Sequence, residues 1–243
     1  MKIKFIIILG LLFLIGCSKS STELFELSKE NLKNNQDDLA VKNLEKLLEK
    51  YPNDSLASQA LYKLSTIYLN WQNDPASGLG ALDRLVKTHP ESKQAKQAKL
   101  EIEEFPDYIL NKTESLRKKE MVKEALDHLM YLTENHSNHQ LISKAQYMLG
   151  DIYMNDLRDF KTAIQEYRKV IENHKGSTQE PHALFMIGYI YANVLNDMQS
   201  AKIEYEEFLN RFPEHELSPS VKFEIEYLGK SVDEIPALKH ITT

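Results

Sequence analysis

The chain has one cysteine, Cys17, in 243 residues. No intramolecular disulfide can form from it, and no cysteine-built metal site exists. Glycine and proline are sparse, eight of each, and no low-complexity segment interrupts the chain. Basic residues are in deficit: 30 Lys and Arg stand against 36 Asp and Glu, a formal net charge of −6. Nucleic acid calls for a basic face and an anionic lipid surface for a polybasic stretch, so neither is an expected partner. After residue 16 no apolar run is long enough to cross a bilayer. There is no phosphate-cradling glycine loop, no nucleophile elbow and no H-E-x-x-H. His136 and His139 flank Ser137-Asn138, but two histidines without further ligands do not make a metal site. The expectation is a protein that is not an enzyme, with no catalytic residue, no metal and no cofactor.

What is present begins at the N-terminus. Lys2 and Lys4 precede an apolar run over residues 5–13, broken only by Gly10, and Leu14-Ile15-Gly16-Cys17 follows. The run is short for a transmembrane helix and lies where a secretory signal has its apolar core. The order of charge, apolar run, small residue and cysteine resembles the lipobox of a bacterial lipoprotein. That resemblance implies cleavage of residues 1–16 and a diacylglycerol on Cys17. Residues 17–22 become the tether. Acyl chains contribute about 0.8 kcal/mol per buried CH₂, and stable anchoring needs more than one chain. Ser18 stands where aspartate retains enterobacterial lipoproteins in the inner membrane, so the implied location is the periplasmic face of the outer membrane. The five residues 18–22 reach roughly 17 Å, which keeps the first helix close to that membrane.

The rest of the chain repeats. Residues 145–153 (AQYMLGDIY) reappear at 183–191 as ALFMIGYIY, an offset of 38. Ala163, Tyr167, Ile171 and His174 match Ala201, Tyr205, Leu209 and Phe212 at that offset. They also match Ala125, Leu129, Thr133 and His136 before them. Ala40, Leu44 and Leu48 match Gly78, Leu82 and Val86 in the same way, and one interval is longer by nine residues. Five copies result, over about 23–52, 54–90, 92–136, 138–174 and 179–213. A repeat of this length marks a stack of supersecondary units.

Within each copy apolar residues recur at three and four, as in Leu61, Leu64 and Tyr68, then Leu82 and Leu85, which predicts two helices. Small residues (Ser65, Gly150, Gly188 in first helices; Gly78, Ala163, Ala201 in second) sit where paired helices approach. Asp74, Asp159 and Asp197 share a register just before the second helix and are expected as N-caps, with Pro75 at a first helical position. Asn70, Asn155 and Asn193 share another and are expected as C-caps, with a row of ligand-binding amides as the alternative. Ala95, Ala98, Ile102, Phe105 and Ile109 keep one helical face across Pro106. Either one helix over about 92–118 kinks there or two helices abut; the kinked helix is the expectation. Residues 216–230, with Ser218-Pro219 and the Val221, Ile225, Leu228 stripe, predict a capping helix ended by Gly229. Residues 231–243 are expected to be a tail.

Leu149-Gly150, Tyr153, Ala163, Tyr167 and then Ile187-Gly188, Tyr191, Ala201, Tyr205, Phe212-Pro213 resemble the tetratricopeptide repeat. The usual period is about 34 residues, so the turns or helix ends here are expected to be extended. The resemblance implies an all-α, right-handed solenoid of five tetratricopeptide-like helix pairs over residues 23–213, closed by the capping helix. First helices then line a groove for peptides or partner helices. The row read as that lining is Tyr62, Thr66 and Leu69, then Tyr147, Asp151 and Met154, then Phe185, Tyr189 and Ala192. The alternative is that its aromatics pack between repeats.

Lys50-Tyr51-Pro52, Ser55, Gln59-Ala60, Leu64, Tyr68, Asp74 and Leu82-Asp83-Arg84, behind a lipobox, are similar to the BamD family of outer-membrane β-barrel assembly lipoproteins. The resemblance implies a membrane-anchored scaffold whose partners are the barrel-insertion protein and unfolded outer-membrane proteins. Another tetratricopeptide envelope lipoprotein, a secretin pilotin or a Tol–Pal-associated factor, stays open beside it.

Overall fold

The computed structural model describes residues 19–230 and 234. The signal segment 1–16, Cys17, Ser18 and the tail 231–243 apart from Glu234 lie outside the described residues. Among those described, every regular element is helical. No helix there is long and apolar enough to cross a membrane. The residues cluster into two units, one through residue 72 with 77–99, the other holding 73–76 and everything from residue 100.

The first unit opens with α1 (Ser21–Lys33) and α2 (Asp37–Lys50), packed on one another. Ser20 caps α1: its hydroxyl accepts from the Glu23 N–H while the Glu23 carboxylate accepts from the Ser20 N–H, a closed capping box. Helix α3 (Ala57–Ile67) runs on as a π-helical turn (Tyr68–Gln72), and α4 (Pro75–Thr88) follows. Leu24, Ala40, Leu44, Leu47, Leu61, Leu64, Leu82 and Leu85 are fully buried or nearly so. They are the positions the three-and-four spacing marks as apolar.

Between copies the expected kinked helix is two helices, α5 (Lys93–Glu103) and α6 (Phe105–Lys118). Glu104 leaves helical geometry at φ −84°, ψ 1°, and Pro106 occupies the first turn of α6. Proline has no N–H to donate and clashes with the preceding turn; at the start of a helix neither matters. Ala95 and Ala98 are buried on α5, and Phe105 and Ile109 on α6.

The second unit continues with α7 (Val122–Asn135), α8 (Ile142–Asp151) with a π-turn (Ile152–Asp156), and α9 (Phe160–Asn173). It ends with α10 (Gln179–Asn193), α11 (Met198–Arg211) and α12 (Ser218–Tyr227). Each helix from α6 to α12 packs on the next, and α8 also packs on α10, the next first helix. That is the layered arrangement of stacked helix pairs. Helix α12 lies on α11 with Val221 buried, and Gly229 at φ +77° follows it.

Asp159 and Asp197 are N-caps, accepting from the N–H groups of Thr162 and Ser200 at 3.1 and 3.0 Å. The asparagine row is not the set of C-caps expected of it. Asn70 and Asn155 lie inside π-turns, and Asn193 is the last residue of α10. The left-handed residues come three positions later, at Asn73, Arg158 and Asn196, with Asn35 and Glu120 in the same register. Asp159 N–H donates to Tyr153 O and Asp197 N–H to Tyr191 O, both at 2.8 Å, closing the wide turn that ends each first helix. These extended ends are where residues beyond the common repeat length are accommodated.

Candidate functional site

The first helices carry the proposed row, and the structure divides it. On α3, Thr66 donates its hydroxyl to the Tyr62 carbonyl at 3.0 Å, turned back onto its own helix. Leu69 is buried against Gly78. In the second unit Ala192 is buried in the core, where Met154 and Phe185 pack against it. Phe185 rests beside the Tyr205 and Tyr189 rings at 6.0 and 6.5 Å. The row therefore contains residues that pack between repeats, and Leu69 and Ala192 have almost no surface to offer a ligand.

Tyr147 and Asp151 are placed differently. They share one face of α8, a turn apart, at a cavity of about 650 Å³. Helix α6 contributes Glu114, Arg117 and Lys118, and α10 contributes Gln179 and His182. These neighbours come from the adjoining copies, so no local spacing could announce them. Arg117 pairs with Asp156 at 2.7 Å. Asp151 accepts a 2.6 Å hydrogen bond from the Tyr167 hydroxyl. Burial raises the Asp151 carboxyl above its ordinary range, opposed by the Tyr167 hydrogen bond and by Arg117, and aided by Asp156. The Tyr147 phenol is also raised, mainly by burial and further by Asp151.

The direction for Asp151 fixes a pH dependence. The folded-state pKa lies above the unfolded value, so the ionised carboxyl opposes folding at neutral pH. That cost is relieved as pH falls through the folded pKa. Asp151→Asn, which retains an acceptor for Tyr167, should therefore raise the melting temperature at pH 7.5. The gain should shrink as the buffer is made acidic. Melting followed by far-UV circular dichroism across pH checks it; a lower melting temperature at neutral pH contradicts it.

The next copy supplies an internal comparison. Tyr205 repeats Tyr167, but Tyr189 stands where Asp151 stood. The Tyr205 hydroxyl is buried with no hydrogen-bond partner among the described residues. A buried donor left unpaired costs about 1–3 kcal/mol. Tyr205→Phe should then be neutral or stabilising by about 1 kcal/mol, whereas Tyr167→Phe should cost about 1 kcal/mol. Parallel urea titrations of the two variants read the difference in sign.

One group among the described residues could hold a metal ion: His182, His215 and Glu216, whose ligand atoms lie within 4.8 Å of one another. His182 Nδ1 pairs with the Thr178 carbonyl at 2.9 Å, leaving Nε2 toward Glu216 at 3.9 Å. His215 Nδ1, however, accepts from the Leu217 N–H at 3.2 Å, so its neutral ring carries the proton on Nε2 and has no lone pair to give. His139 makes the same bond to the Leu141 N–H. Both histidines act as caps at the entry to the following helix, and His136 packs beside Phe105 and Tyr131.

Polar links between consecutive copies also escape sequence reading. Ser58 donates to Gln94 at 3.3 Å in the first unit and Ser143 to Gln179 at 2.9 Å in the second, in the same register. Arg168 reaches Glu204 at 2.6 Å. The recurrence of Ser and Gln two copies apart is the only signal the sequence held.

The stacked helix pairs have the architecture of the tetratricopeptide-repeat class, and such repeats support a protein-interaction scaffold. The tetratricopeptide repeat family model matches residues 144–177 and 182–215. Residues 18–100 match a second family model, YfiO, described as outer membrane lipoprotein. No curated protein matches the chain. Among solved structures it is similar to MamA, from residue 41 to its end, of Desulfovibrio magneticus RS-1. Identity is 16% over 82% of this chain and 98% of that one, with a TM-score of 0.36. It is also similar to YrrB, described as a TPR protein with an unusual peptide-binding site (18% identity, 84% and 92% coverage, TM-score 0.38). A third is the TPR domain of P58(IPK) (14% identity, 85% and 54% coverage, TM-score 0.41).

Proposed function

We propose that this chain is a lipid-anchored scaffold on the periplasmic face of the bacterial outer membrane, serving the assembly of β-barrel proteins. Cys17 carries the lipid. The barrel-insertion protein and unfolded outer-membrane proteins are its partners, and the cavity between α6, α8 and α10 receives a segment of one of them. The observation that carries the reading is the outer membrane lipoprotein match, which begins at residue 18, directly after the lipobox cysteine. The stacked helix pairs support the scaffold part independently, because in the second unit the first helices α8 and α10 pack side by side, the arrangement that receives an extended segment in helical-repeat proteins. The groove-row residues Tyr147 and Asp151 are the contacts assigned to that segment.

The test is affinity purification of the native lipidated protein in mild detergent, followed by mass spectrometry. Recovery of the barrel-insertion protein is the expected result. Recovery of a secretin or of Tol–Pal components without it would assign the scaffold to another envelope machine. Cys17→Ala should release the protein from the membrane fraction; unchanged partitioning would remove the anchor from the reading.

A further inference from the structure

We propose that the cavity between α6, α8 and α10 takes a cationic side chain, a lysine or arginine on an extended segment of a partner protein, with Asp151 as its counter-ion and the Tyr147 ring beside it. This rests on the reading of the chain as a protein-binding scaffold and adds the chemistry of what it binds.

Four observations lead there. The first is the state of the carboxylate. One Asp151 oxygen accepts from Tyr167 at 2.6 Å, and no Lys or Arg among the described residues forms an ion pair with the other. Arg117, the guanidinium of the cavity wall, is held by Asp156 at 2.7 Å. A carboxylate that has lost much of its water and gained one hydrogen bond is under-compensated, and an incoming cation supplies what is missing.

The second is that Tyr167 does not require it. Tyr205 fills the same place in the next copy, fully buried, with no acceptor for its hydroxyl among the described residues. A tyrosine at this position is compatible with the fold whether or not a carboxylate faces it. The residues in the Asp151 register of the five copies are Ser28, Thr66, Thr113, Asp151 and Tyr189, so the charge is particular to this cavity.

The third is the aromatic wall. Tyr147 stands beside Tyr167 at 5.2 Å between centroids and edge-on to His182 at 6.4 Å. It is only partly buried, so part of its ring is left to the cavity. An aromatic face next to a carboxylate attracts an ammonium or guanidinium group through the ring quadrupole and the charge together. The fourth is size: about 650 Å³ admits a long side chain with the backbone that carries it. Lys118 and Lys144 at the rim oppose the cation, but they are exposed and screened by salt, while the half-buried Asp151 is screened less.

The experiment uses the full lipidated chain in detergent micelles and fluorescein-labelled pentapeptides Tyr-Ala-X-Ala-Tyr, with X arginine, lysine, citrulline or glutamate. Citrulline keeps the shape of arginine and removes the charge. Fluorescence anisotropy should show the arginine and lysine peptides binding about tenfold tighter than the citrulline peptide, and the glutamate peptide weakest. Asp151→Asn, checked for folding by its melting curve, should erase the preference for the arginine and lysine peptides over the citrulline peptide. Tyr147→Leu should weaken the two cationic peptides more than the neutral one. Binding without charge preference, a preference for glutamate, or a preference that survives Asp151→Asn would overturn the cation proposal and leave the cavity as a peptide site. No binding of any peptide would overturn the cavity as a peptide site and the proposal with it. The purification of partners decides the scaffold reading separately.

Discussion

Arg211→Ala should destabilise the second unit by about 3–5 kcal/mol, because it strands a buried charge. The Glu180 side chain is 3% exposed. Its Oε1 is paired with Arg211 Nη2 at the end of α11, and its Oε2 accepts from the Gly176 N–H at 2.6 Å in the turn before α10. Arg211 also reaches Glu207 at 3.0 Å and lies over the Phe212 ring. The pair thus joins the start of one first helix to the end of the following second helix. Removing the guanidinium leaves the carboxylate without water or counter-charge. Arg211→Lys should fall between wild type and alanine, since an ammonium offers no planar fork. Glu180→Leu with Arg211→Leu should recover much of the loss, because the cost lies in the unpaired charge. Urea unfolding by far-UV circular dichroism is the measurement. Fluorescence is unsuitable because the lone tryptophan, Trp71, lies in the first unit. A double variant no better than Arg211→Ala would show that packing at Arg211, not charge, holds this junction.

Gly150→Ala and Gly188→Ala should each cost about 1–3 kcal/mol through overpacking. A Cβ at Gly150 would meet the Tyr167 ring at 2.5 Å, and one at Gly188 would meet the Tyr205 ring at 2.5 Å. Both rings are fully buried, and a planar ring inside a packed core cannot step aside as a flexible chain can. Gly78→Ala is the control. Its Cβ would meet Leu69 at 2.4 Å, but that neighbour is a branched side chain with other rotamers available, so the cost should be smaller. Melting temperatures should rank Gly78→Ala above the other two. Equal losses at all three would mean that the helix pairs shift as bodies to make room.

These positions show what a single sequence discloses. Gly150 and Gly188 were legible as close-approach residues because they recur as small residues at a fixed offset, as Ala163 and Ala201 do. Asp159 and Asp197 were legible as caps because capping is a local interaction, spanning three residues. The same logic failed at Asn155 and Asn193. The helix end there depends on whether the chain closes with a π-turn, and the left-handed residue moved to Arg158 and Asn196. Arginine carries no signal for that conformation. The break at Glu104 was half legible: Pro106 marked the place, but a kink and a fresh start leave the same apolar stripe.

The cavity was legible only as two of its residues. Tyr147 and Asp151 could be put on one face because they are four apart on one helix. Arg117 and His182 come from helices before and after, and which turn of one helix meets which turn of another is set by packing between copies. The sequence by itself determined the paired-helix pattern, the apolar faces and the N-caps Asp159 and Asp197, since each follows from spacing within one copy. Tertiary structure decided where consecutive copies meet. It matched Arg211 with Glu180, left Tyr205 without an acceptor among the described residues, and opened a cavity on Asp151, because those outcomes depend on how one packed copy seats against the next.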